Sequence, residues 1–118
     1  MLLTLCKGKI HRARVTEARL DYTGSITLGP ELMAAAGILP FEMVHVNSMS
    51  TACHWETYAI PGNPGQVCLN GCPARLFMVG DEVIILSLGM FTPNEAARVK
   101  QALVFVNQEN QIVEVKCP

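Results

Sequence analysis

Charge of either sign is scarce in this chain of 118 residues, where Lys and Arg number 9, Asp and Glu number 10, and charged residues make up 16%. The formal net charge of -1 leaves no basic excess to neutralise a run of phosphates, which argues against a nucleic-acid partner. No G-x-G-x-x-G, Walker-type loop or H-E-x-x-H occurs, so the common nucleotide-cradling and zinc-protease signatures are missing. Long apolar runs are missing too. The longest past the N-terminus, Val83 to Phe91, falls far short of the ~18–20 residues that cross a bilayer. The apolar start Met1 to Cys6 stops at Lys7-Gly8-Lys9 and has neither a preceding positive stretch nor a small-residue cleavage site, so the mature chain is expected to begin here and to act in the cytoplasm, away from membranes. The 5 cysteines form no C-x-x-C pair. Cys68 and Cys72 with His54 lack a second ligand pair, so no metal is expected and the thiols read as buried or surface groups.

What is present in abundance is apolar residue, at 50%, with a mean hydropathy of +0.29. Such a chain folds rather than staying disordered. A domain of this size buries only about two-thirds of its unfolded surface, so the apolar surplus predicts a self-association face.

Periodicity organises the chain into short extended pieces. Lys9 to Thr16 alternates with a period of two and carries polar residues on both faces, which predicts a strand. Further strands are expected at Ser25 to Leu28, Met43 to Asn47, Trp55 to Ile60, Gln66 to Asn70 and Val83 to Leu86. The turn signal Pro61-Gly62-Asn63-Pro64-Gly65 separates two of them. Pro30 to Gly37 reads as a short helix, with proline at its start, Glu31 in the first turn and a glycine stop. Thr92-Pro93-Asn94-Glu95 carries a capping-box pattern, so Pro93 to Arg98 begins a second brief helix. Leu103 to Val106 and Ile112 to Val115 close the chain as a hairpin around Asn107-Gln108-Glu109-Asn110. Many short strands, few helices and no βα alternation predict a mainly β, barrel-like fold.

The residues able to do chemistry are polar groups scattered through the first half. Lys9 and His11 share a face of their strand, as do His54, Glu56 and Tyr58 if Trp55 to Ile60 is extended. Each alone reads as a solvated lysine, a hydrogen-bonded histidine or a packed tyrosine.

Tyr22-Thr23-Gly24-Ser25 shifts that balance. Together with Lys9-Ile10-His11-Arg12, Ala34-Ala35-Ala36-Gly37-Ile38-Leu39, Thr57-Tyr58-Ala59-Ile60, Asn70-Gly71, Val79-Gly80-Asp81 and Glu95-Ala96-Ala97-Arg98, the chain resembles the pyruvoyl-dependent aspartate 1-decarboxylases nearly end to end. The resemblance implies a small double-psi β-barrel with two or three short helices, assembled as a homotetramer with active sites between subunits. It implies one domain over residues 1–118, cut autocatalytically between Gly24 and Ser25 into a small β chain, 1–24, and a larger α chain, 25–118, with a maturation factor as a possible partner. In such enzymes the serine hydroxyl attacks the preceding carbonyl, and the resulting ester is converted to a pyruvoyl group, here derived from Ser25. That group forms a Schiff base with a small amino-acid substrate and accepts the electrons released with CO2.

By the same resemblance, Thr57 assists cleavage, Tyr58 reprotonates the α-carbon and Lys9 holds a substrate carboxylate. Tyr22, His11, Asn70 and Gly71 line the substrate pocket. The chain departs from the family pattern at His54, where an arginine that pairs with the aspartate carboxylate is usual, at Cys72-Pro73, where two alanines are usual, and at Asn47, where an aromatic is common. Histidine offers at most two donors in place of a permanently charged fork. Loss of such a charge-assisted pair costs about 1.5–3 kcal/mol. Three functions are therefore weighed: aspartate decarboxylation to β-alanine, the same chemistry on a less acidic amino acid, and a barrel that never cleaves.

Overall fold

A computed structural model describes residues 1–118. Nine strands and two short α-helices follow one another as β1 (Leu3–Arg14), β2 (Glu17–Arg19), β3 (Ser25–Leu28), α1 (Pro30–Ala36), β4 (Met43–Ser48), β5 (His54–Pro61), β6 (Val67–Asn70), a 3-10 turn (Cys72–Arg75), β7 (Glu82–Phe91), α2 (Pro93–Ala96), β8 (Ala102–Val106) and β9 (Ile112–Lys116). The mainly β expectation holds. No helix is long and apolar enough to cross a membrane.

The local signals act where they were read. Pro30 opens α1, and Gly37 ends it in the left-handed region at φ 71°, where its N–H reaches the Ala34 and Met33 carbonyls. Thr92 and Glu95 complete the capping box of α2, although that helix stops at Ala96 instead of running to Arg98. Three extended segments differ from expectation. β1 runs back to Leu3 and ends at Arg14, and β7 runs on to Phe91, because these two strands pair with each other from Leu3↔Phe91 to Arg14↔Glu82. β2 had no sequence signal of its own and exists through its parallel pairing with β6. The expectation that Lys9 to Thr16 is polar on both faces is also corrected. The register shift between Ile10 and Ala13, with Arg12 at φ 63°, turns Ile10, Ala13 and Val15 inward, so the segment contributes to the core.

The sheet order is β2-β6-β3-β5-β4-β7-β1-β8-β9, with parallel pairs β1/β8, β2/β6 and β3/β5 among otherwise antiparallel neighbours. One cluster of 18 buried apolar residues, including Ile10, Ile26, Leu28, Leu32, Val46, Leu69 and Ile85, joins α1 to the strands. Each such side chain contributes about 1.5–3 kcal/mol through removal from water. Lys7 ties the loop after α1 to the sheet, since its ammonium donates to the Gly37 carbonyl at 2.6 Å and to Glu42 at 3.2 Å. All five cysteines are unpaired, with Cys68 buried and Cys72 and Cys117 exposed.

Candidate active site

β3 begins at Ser25 and β6 ends at Asn70, and the antiparallel register sets these two residues opposite each other. Ser25 is buried at 1% exposure, and its hydroxyl donates to the Thr23 carbonyl at 3.0 Å. The Asn70 amide donates to Ser25 Oγ at 3.0 Å and to Thr27 Oγ1 at 2.9 Å. The Asn70 side-chain carbonyl accepts from the Cys68 thiol at 3.2 Å. Burial pushes that thiol above its ordinary range and keeps it a donor. A buried amide satisfied on both sides has one orientation, so the position of Ser25 Oγ is fixed.

Gly71 follows at φ 80°, ψ -140°, a combination nearly confined to glycine. A Cβ there would stand 2.9 Å from Gly24 Cα and 3.2 Å from the Tyr22 carbonyl oxygen. The Asn70-Gly71 corner therefore presses directly on the backbone of Gly24. Beyond it, exposed Cys72 and buried Pro73 open the 3-10 turn. Tyr22 is 51% exposed, and its carbonyl oxygen lies beside this corner.

β5 supplies the next residues. It runs parallel to β3 from Ile26↔Ala59, and one step back along both strands sets Tyr58 level with Ser25. The Tyr58 ring packs at 6.4 Å from that of Phe41. Thr57, one position earlier, is 7% exposed, and its hydroxyl makes no hydrogen bond within the chain. Gly24, Ser25, Asn70, Gly71, Thr57 and Tyr58 are thus gathered at one end of β3.

Lys9 and His11 are not with them. They lie on β1 beside β8, with β5, β4 and β7 between them and β3, and they line a cavity of about 240 Å³ with Leu103 and Phe105. The His11 ring meets Phe105 edge-on at 5.4 Å. Burial, then the Lys9 and Arg12 charges, hold this imidazole below its ordinary pKa, which favours the neutral form at pH 7.

His54 stands on the same face of β5 as Tyr58, four residues away, or about 13 Å along an extended strand. Its surroundings show what sequence reading missed. Asn47↔His54 and His45↔Glu56 are successive same-face pairs on the antiparallel β4/β5 ribbon. His54 Nδ1–H donates to Asn47 Oδ1 at 2.6 Å, His54 Nε2 lies 2.9 Å from one Glu56 oxygen, and His45 Nε2 lies 3.5 Å from the other. Contact with His54, then the charge of His45, keeps the Glu56 carboxyl below its ordinary range. These three side chains form the one group with metal-ligand spacing, and it includes neither Cys68 nor Cys72. His45 carries no signal on its own; the matching parity of His45/Asn47 and His54/Glu56 on two consecutive strands was the available clue.

The sequence profile of the family described as aspartate decarboxylase matches residues 1–113. The aspartate 1-decarboxylase of Clostridium beijerinckii is 48% identical over 117 residues, covering 98% of this chain and 94% of the relative. That of Carboxydothermus hydrogenoformans is 48% identical over 118 residues, with 98% and 93% covered. That of Desulfitobacterium hafniense is 49% identical over 117 residues, with 98% and 92% covered. A mainly β chain with a serine locked against an Asn-Gly corner, and with relatives of this kind along its whole length, is a carboxy-lyase. It belongs to the aspartate decarboxylase family.

Proposed function

We propose that this chain is a self-processing, pyruvoyl-dependent amino-acid α-decarboxylase that converts L-aspartate to β-alanine and CO2. One observation carries the reading: the Ser25 hydroxyl is held in a buried, neutral corner by Asn70 and the Thr23 carbonyl, and Gly71 leaves no room for a Cβ beside Gly24. Ser25 Oγ attacks the Gly24 carbonyl carbon, the Gly24–Ser25 C–N bond breaks, and the proton passes to the freed amine, leaving an ester. Loss of the Ser25 α-proton then breaks the Cβ–O bond, releases the Gly24 carboxylate and leaves a dehydroalanine. Addition of water and departure of ammonia complete a pyruvoyl group at the head of residues 25–118. Its carbonyl supplies the electron sink that decarboxylation needs.

The chain's own residues have separate tasks. Thr57, whose hydroxyl has no partner within the chain and keeps solvent access, donates to the oxygen on which charge develops during cleavage. Tyr58, level with Ser25, delivers the proton to the α-carbon. Asn70, Gly71, Cys72 and Pro73 wall the pocket beside Tyr22. Lys9 and His11 bind the substrate from another subunit of a homotetramer, which their separation from β3 by three strands supports. Exposed Leu39, Phe41 and Met43, adjoining Tyr58, offer apolar area for that assembly. Five unpaired cysteines support a reducing, cytoplasmic setting.

Intact mass tests the reading. Two fragments ending at Gly24 and beginning with a pyruvoyl group are expected, whereas one uncut species after prolonged warming, alone and in cell extract, overturns it in favour of a non-cleaving barrel. Cutting in extract but not in the pure protein assigns the step to a maturation factor. A second reading, decarboxylation of a less acidic amino acid, is favoured by the Glu56 carboxylate 2.9 Å from His54, which sets negative charge where the family carries an arginine. CO2 release from aspartate no faster than from alanine selects it.

A further inference from the structure

The His45, His54 and Glu56 cluster gathers three ligand-type atoms within 4.8 Å of one another. With Asn47 Oδ1 accepting from His54 Nδ1–H, the His54 Nε2 lone pair faces a carboxylate oxygen at 2.9 Å. Two acceptors then meet with a cation required between them. A proton can fill that gap, but it leaves His45 Nε2 at 3.5 Å from the other Glu56 oxygen. One larger cation serves all three.

We infer that His45, His54 and Glu56 hold a divalent first-row transition metal on the β4/β5 ribbon.

The dimensions agree. Ligand atoms about 2.1 Å from an ion lie about 3.0 Å apart when cis on an octahedron and about 3.4 Å apart on a tetrahedron. His54 Nε2 lies 2.9 Å from one Glu56 oxygen and His45 Nε2 lies 3.5 Å from the other, and the three ligand atoms lie within 4.8 Å of one another, so side-chain rotation alone can bring them around one ion. Two imidazoles and one carboxylate suit zinc or iron(II) and leave coordination positions free for water or an incoming carboxylate. The ligands come from directly paired positions of two hydrogen-bonded strands, so the backbone sets their spacing. Asn47 acts as an outer-shell partner, fixing the His54 tautomer that presents Nε2 to the ion. Glu56 and His54 have side-chain exposures of 55% and 43%, so the ion's outer face is open to a ligand.

Titration of chelator-treated full-length protein with Zn2+, followed by calorimetry, tests the site. One ion per chain is expected, with affinity weakened at least ~10-fold in His45→Ala and in Glu56→Gln and by ~10–100-fold in Asn47→Leu, while circular dichroism and melting stay near wild type. Binding of equal strength in His45→Ala, Glu56→Gln and wild type overturns the site and reassigns the ion to the exposed thiols Cys72 and Cys117. Absence of stoichiometric binding overturns it as well. The uncleavable Ser25→Ala variant binds Zn2+ like wild type, so a failed processing reading and a failed metal reading are told apart.

Discussion

The β3/β6 corner and the β4/β5 ribbon stand on the two sides of the same Tyr58, yet they are built from opposite materials. At the corner, Ser25 and Asn70 are 1% exposed, neutral and fully hydrogen-bonded, and a Cβ on Gly71 would stand 2.9 Å from Gly24 Cα. On the ribbon, His54 and Glu56 are exposed and ionisable and reach their partners through side chains alone. The contrast separates two demands. Cutting the chain's own backbone requires a hydroxyl and a carbonyl held without slack, which burial and a glycine conformation provide. Choosing a substrate requires charge that incoming ligand can reach, which only an open face provides. On the proposed reading, a change at position 54 alters what is bound and leaves the corner untouched.

Ser25→Ala should break the corner completely while sparing the ribbon. Cleavage and CO2 release are expected to vanish, with mass spectrometry showing one uncut chain that melts cooperatively; residual CO2 release would refute the pyruvoyl mechanism. His54→Arg acts on the ribbon alone. It is expected to leave cleavage intact, abolish Zn2+ binding, and raise the preference of metal-free enzyme for aspartate over alanine by ~10- to 150-fold, the worth of a charge-assisted pair of about 1.5–3 kcal/mol.

Gly71→Ala tests whether the corner's grip is a matter of space. Its strained φ and the contact at 2.9 Å with Gly24 Cα predict a loss of about 1–3 kcal/mol in stability, together with slower cleavage, read by denaturant melts and by mass against time. The smallest effect concerns pH. The Arg12 hydrogen bond, followed by the Arg12 and Arg14 charges, holds the Glu82 carboxyl below 4.5 in the folded chain, and Glu56 and Glu95 are lowered as well. The unfolded chain then takes up protons first. Stability is expected to be fully present above about pH 5 and to fall as pH drops through these lowered values. Glu82→Gln should make the acid limb of a melting-temperature profile shallower, and an unchanged limb would remove Glu82 from that role.

Much of the corner was legible because its parts are contiguous. Gly24-Ser25 and Asn70-Gly71 are neighbours in sequence, and α1 is bounded by Pro30 and Gly37, whose backbone restrictions are intrinsic. The ends of β1 and β7 were not legible. Leu3 to Gly8 and Ser87 to Phe91 have weak patterns separately and become strand by pairing with each other across the whole chain. The same reason hid the ribbon site. His45 gains meaning only opposite Glu56, and that opposition is a matter of register.

By itself the sequence determined the family, the mainly β class and the Gly24-Ser25 and Asn70-Gly71 pairs of the β3/β6 corner, since these rest on local conformational limits and on a pattern running along the whole chain. Only the tertiary structure decided which side chains share a site. It parted Lys9 and His11 from Ser25 by three strands and brought His45 and Glu56 to His54, because strand order and register join residues according to hydrogen bonding between backbones rather than nearness in sequence.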